Sequence, residues 1–146
     1  MFDVTIHTDG ACAGNPGIGG YGAILVYGEN EKVVRGFAKA ATNNRMELMA
    51  IVEGLKALRK PCNVIASTDS MYLIKCFRHD EEWLLMENRP NRDLWQILLD
   101  TQKKGQHKIV FQKVKGHSGE VYNERCDRIA KEQIKKCAHM IVKGEI

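Results

Sequence analysis

The chain has 146 residues, 44% of them hydrophobic and 27% charged, with only three prolines, the balance of one globular domain around a single buried core. A net charge of +4 permits a polyanionic partner without requiring one. No apolar run is long enough to span a bilayer, and residues 1–15 lack the basic-then-apolar pattern of a secretory signal, so a cytoplasmic protein with no membrane association is expected. The five cysteines (Cys12, Cys62, Cys76, Cys126 and Cys137) form no C-x-x-C pair and no zinc-spaced cluster, and read as reduced thiols.

The first segment alternates, with Phe2, Val4 and Ile6 on one face and Asp3, Thr5 and His7 on the other, a strand ending at Asp9. Gly10–Gly20 is rich in glycine and contains Asn15-Pro16-Gly17, a turn by composition. Tyr21–Tyr27 and Lys32–Ala38 read as an antiparallel hairpin around Gly28–Glu31. Thr42-Asn43-Asn44 offers capping oxygens to a helix whose apolar stripe is Leu48, Ile51, Val52, Leu55 and Leu58, ended by Pro61. Cys62–Ala66 suits a strand buried on both faces, and Ser70–Phe77 a helix directly after Asp69. Arg92–Lys104 reads as a helix, His107–Val114 as a strand and Asn123–Ile141 as a last helix. The order implies an α/β fold: a five-stranded mixed sheet, three antiparallel strands then two parallel, with helices on both faces. Residues 1–142 are expected to form one domain and residues 143–146 a frayed C-terminus.

Asp9 ends the first strand and Asp69 follows the fourth. If those strands are parallel neighbours, both acids lie at the carboxyl edge of the sheet, where α/β proteins build their sites. Glu47 sits one turn into the first long helix, and Asp127 near the start of the last. Four converging acids repel one another unless cations neutralise them, and hard Mg²⁺ or Mn²⁺ with oxygen ligands suits such a set. Each acid taken singly is more often a cap or a solvated side chain. Position alone leaves the question open.

The local strings are more specific. Thr8-Asp9-Gly10-Ala11-Cys12-Ala13-Gly14-Asn15-Pro16-Gly17, Thr42-Asn43-Asn44-Arg45-Met46-Glu47-Leu48, Ser67-Thr68-Asp69-Ser70, Val114-Lys115-Gly116-His117-Ser118-Gly119 and Asn123-Glu124-Arg125-Cys126-Asp127 stand in order along nearly the whole chain. Together they resemble type I ribonuclease H. The resemblance implies the ribonuclease H-like fold and an endonuclease that hydrolyses the RNA strand of RNA–DNA hybrids, as a monomer with no obligatory protein partner. It makes Asp9, Glu47, Asp69 and Asp127 the ligands of two Mg²⁺ ions, with Mn²⁺ as a substitute. One ion activates a water and the other stabilises the leaving 3′ oxygen, giving 5′-phosphate and 3′-hydroxyl ends. His117 matches a mobile-loop histidine that assists proton movement or product release. Gly10, Cys12, Asn15, Asn43 and Asn44 match minor-groove positions that read the 2′-hydroxyl, and Thr42 and Asn91 match positions gripping a DNA-strand phosphate.

Three departures concern grip rather than chemistry. The stretch His79–Asn91 is short and begins His79-Asp80-Glu81-Glu82-Trp83, where better-known bacterial members carry a long basic protrusion. Met71 replaces a minor-groove glutamine, and Ala40 an arginine beside the phosphate pocket. Arg125, Arg128, Lys131, Lys135 and Lys136 on the last helix, with Lys113 and Lys115, are substitute cations, and Trp83 reads equally as a residue that stacks on a DNA sugar or as a core or lid residue.

Overall fold

The computed structural model describes residues 1–114 and 120–146. Three strands come first: β1 (Phe2–Ala13), β2 (Gly17–Tyr27) and β3 (Asn30–Ala41). Then follow α1 (Asn43–Lys56), β4 (Cys62–Thr68), α2 (Met71–Phe77), the one-turn α3 (Glu81–Leu84), α4 (Arg92–Gly105), β5 (Lys108–Lys113) and α5 (Val121–Val142). The strands form one sheet in the order β3-β2-β1-β4-β5. The first three are antiparallel, while β1–β4 and β4–β5 are parallel, as the element order implies. Strand order therefore reverses between β1 and β4.

Each face of the sheet is covered by different helices. On one face Gly54 of α1 lies against Ile6 and Ala23. A large apolar core there includes Leu48, Ile51, Leu55, Leu73, Trp95 and Leu98. On the other face α5 lies on β2, where Ile24, Cys126, Ala130 and Cys137 are buried. All five cysteines are free thiols, and burial pushes Cys126 up to about 12.

The glycine-rich stretch differs from the sequence expectation. It is mostly strand: β1 continues to Ala13, β2 begins at Gly17, and the turn is Gly14–Pro16. Gly10, Gly19 and Gly20 serve helix packing instead. A Cβ on Gly20 would stand 2.2 Å from the Ala130 carbonyl oxygen of α5, and one on Gly10 would stand 2.5 Å from backbone atoms of Met46 and Glu47 in α1. Composition reads such residues as turn formers because it carries no record of what crosses above them.

Smaller differences have local causes. The hairpin turn is tighter than Gly28–Glu31, because Tyr27 already pairs with Asn30 and Gly28 takes φ 58°. Helix α1 stops at Lys56, five residues before Pro61, with the Ala57 N–H bonded to Gly54 and Leu55. Strand β4 is not buried on both faces, since Asn63 and Ile65 are exposed and only Ala66–Thr68 form a continuous buried run. The turn α3 escapes periodicity for want of length; Asp80 caps it by accepting from the Trp83 N–H.

Candidate active site

The parallel pairing of β1 with β4 carries the site. Its last registered pair is His7 with Ser67, so Asp9 lies two residues further along β1 and Asp69 two residues on, just past the end of β4. Gly10, having no Cβ, lets the first turn of α1 close on β1 and brings Glu47 beside Asp9. Asp9, Glu47 and Asp69 each offer a carboxylate oxygen within 4.8 Å of the others, the geometry a metal ion needs. Asp9 is 6% exposed and Glu47 9%.

Electrostatics supports the same reading. Burial, then the charge of Asp69, pushes Asp9 up to about 7, and burial with the charge of Asp9 pushes Glu47 well above the ordinary carboxylate range. Asp9 Oδ1 accepts from the Gly10 N–H at 2.9 Å, whereas Glu47 Oε2 is buried with no hydrogen-bond partner among the described residues. A buried carboxylate oxygen without a donor is what a cation satisfies. The donor set is all oxygen and anionic, so it fits a hard divalent ion.

Asp127 stands apart from this trio. It lies in the second turn of α5, close enough for its charge to raise Asp9, but its Oδ2 is 2.9 Å from Lys131 Nζ. The fourth carboxylate is thus held by an internal ammonium four residues along the helix. That contact was readable from the Asp-x-x-x-Lys spacing. His117 lies outside the described residues.

The proposed groove residues flank the acids. Cys12 is half-buried on β1 opposite Gly19. Asn15 Oδ1 accepts from the Asn43 N–H at 3.0 Å, tying the β1–β2 turn to the start of α1, with Asn15, Asn43 and Asn44 exposed. Thr42 is the N-cap of α1, its Oγ1 accepting from the Arg45 N–H. Asn91 is the N-cap of α4 but makes no side-chain cap bond. Its amide instead meets Tyr72 and Arg45, and Arg45 pairs with Asp93. This set escaped sequence reading because its members lie 46 and 48 residues apart, with no local pattern joining them.

Trp83 does not offer a free stacking face. The His79 ring is parallel to it at 3.7 Å, and the Arg89 guanidinium lies 3.4 Å from its centroid. Two groups that close to one centroid cannot share a side, so both faces of the indole are covered. Of the α5 cations, Arg125 pairs with Glu31 and Lys131 with Asp127, while Arg128, Lys135 and Lys136 are exposed.

A mixed sheet whose order reverses at clustered carboxylates defines an α/β protein whose acids could hold a divalent ion at the carboxyl ends of two parallel strands. Comparison with known proteins narrows this. The RNase H family model matches residues 2–135. The ribonuclease H of Caldanaerobacter subterraneus subsp. tengcongensis is 50% identical over 142 residues, covering 91% of this chain and 92% of the relative. That of Acetivibrio thermocellus is 49% identical over 145 residues, covering 93% and 97%. Among solved structures, LC11-RNase H1 in complex with RNA/DNA hybrid matches with a TM-score of 0.72 at 19% identity, over 92% of this chain and 99% of that one. The chain belongs to the ribonuclease H family, divalent-metal-dependent nucleases of the RNA strand in RNA–DNA hybrids.

Proposed function

We propose that this chain hydrolyses the RNA strand of RNA–DNA hybrids by a two-metal-ion reaction that leaves 5′-phosphate and 3′-hydroxyl ends. The observation that carries it is the trio Asp9, Glu47 and Asp69 at the sheet's switch point, with a Glu47 oxygen lacking any donor among the described residues. These three, with Asp127, hold Mg²⁺, and Mn²⁺ substitutes. Bound there, the ions supply an activated water and charge stabilisation for the leaving 3′ oxygen. The chain's own residues do the rest. Burial and mutual repulsion favour the protonated forms of Asp9 and Glu47, so an entering cation would displace protons held there. Gly10, Cys12, Asn15, Asn43 and Asn44 face the minor groove, where the 2′-hydroxyl marks the RNA strand. Thr42 and Asn91 grip a phosphate of the DNA strand, and His117 serves proton movement or product release.

Residues 1–142 act as one domain, with residues 143–146 as its frayed end, and the protein works as a cytoplasmic monomer. No described helix is long and apolar enough to cross a membrane.

Specificity is tested with end-labelled RNA–DNA hybrid, duplex RNA and duplex DNA at one Mg²⁺ concentration. Cleavage confined to the hybrid's RNA strand, with 5′-phosphate and 3′-hydroxyl products, is expected. Equal cutting of duplex RNA, or 3′-phosphate products, contradicts the reading.

A further inference from the structure

Asn91 occupies an unusual position. It precedes α4 with left-handed backbone, φ 60° and ψ 22°, and gives up the side-chain cap that such a residue ordinarily supplies. Both ends of its amide are engaged elsewhere. Nδ2 donates to the Tyr72 hydroxyl oxygen at 2.9 Å, and Oδ1 accepts from Arg45 Nη1 at 3.4 Å. Arg45 is itself fixed by Asp93 through two bonds, Nη1 to Oδ1 at 2.9 Å and Nη2 to Oδ2. Trp95 Nε1 donates to the same Tyr72 oxygen at 3.3 Å.

The donor count shows what is left over. Asn91 Nδ2 has two hydrogens, and only one is taken. The Thr42 hydroxyl oxygen accepts from the Arg45 backbone N–H at 3.2 Å, which leaves its own proton to donate. Arg45 thus reaches both residues, Thr42 through its backbone and Asn91 through its guanidinium. Because Asp93 neutralises that guanidinium, the pair orients donors rather than adding net charge.

We propose that Arg45, Asp93 and Tyr72 are positioning residues that lock the Asn91 amide, so that its free N–H and the Thr42 hydroxyl converge on one phosphate of the DNA strand. The proposal rests on the hybrid reading above. The left-handed backbone of Asn91 fits it, since a residue held in a sparsely populated region by surrounding bonds is aimed by them.

The test uses a series of hybrids, each with a single uncharged methylphosphonate at a different DNA-strand position. Wild-type protein is expected to show a raised KM at one position. Arg45→Met is expected to raise KM for the unmodified hybrid roughly tenfold, the scale of one hydrogen bond to a charged group, with kcat within about twofold. It also loses sensitivity to the methylphosphonate. Tyr72→Phe, which leaves the Arg45–Asp93 pair in place, is expected to lose the same sensitivity even if Arg45→Met does not fold. Retained positional sensitivity in Tyr72→Phe, or a fall in kcat at unchanged KM, overturns the positioning role. A wild-type protein that cleaves every duplex except the hybrid overturns the hybrid reading instead, before any variant is compared.

Discussion

At the residue scale, the acids that make the site also work against the fold. Asp9 has an ordinary value of 3.8 and is raised to about 7 in the folded chain, by burial first and by Asp69 second. A carboxyl raised on folding contributes stability because the folded chain holds its proton more tightly than the unfolded one. Without divalent ions, its contribution is therefore fully present below about pH 4 and is lost as pH rises towards 7. Glu47 shifts in the same direction. Metal-free Asp9→Asn is accordingly expected to be at least as stable as wild type at pH 8 in chemical denaturation, while RNA cleavage falls about a hundredfold or more. A variant less stable than wild type contradicts the electrostatic argument, and one that cleaves at the wild-type rate takes Asp9 out of the metal site. Lys131 makes a second prediction at this scale. Its ammonium competes with a cation for Asp127, so Lys131→Met is expected to bind Mg²⁺ more tightly by calorimetry, several-fold on the scale of a partly exposed ion pair. Unchanged affinity means that the pair opens at no cost.

At the element scale, glycine governs how closely helices approach the sheet. The short distance from a Gly20 Cβ to the Ala130 carbonyl means that α5, and Asp127 with it, must shift to admit a side chain. Gly20→Ala is expected to cost about 1–3 kcal/mol in urea denaturation, and a loss below a few tenths contradicts the close packing. The same residues show what the sequence revealed. Alternation from Phe2 to His7 and the stripe from Leu48 to Leu58 were legible because strand and helix periods are written locally. Asp9 and Asp69 stand out as candidates because strand ends are written locally, whereas Glu47 and Asp127, inside helices, are singled out by the surrounding strings. Composition reads Gly19 and Gly20 as turn, since the helices they admit are remote in sequence, more than a hundred residues away in the case of Ala130. The Arg45–Asp93 pair and the covered Trp83 were invisible for a related reason, being set by tertiary contact alone.

At the scale of the whole molecule, the carboxylates are concentrated at one sheet edge, while the stretch 79–91 is acidic at its start. The segment in place of a basic protrusion carries Asp80, which caps α3, and Glu81, which pairs with Lys103; its tryptophan is enclosed by His79 and Arg89. Two α5 cations are likewise engaged with acids. The stretch 79–91 then adds little positive charge of its own, so the slope of log affinity against log salt is expected to be shallower, by about one unit per missing phosphate contact, than for a protein with a basic protrusion there. Equal slopes place phosphate contacts on the exposed α5 lysines instead. The central claim is that Asp9, Glu47, Asp69 and Asp127 act through divalent ions on an RNA strand. The most direct measurement is the cleavage rate of labelled hybrid as Mg²⁺ is raised from zero in otherwise constant salt. A rate that is nil in chelator, rises to saturation with Mg²⁺ and is abolished by Asp9→Asn is expected; cleavage undiminished in chelator contradicts it.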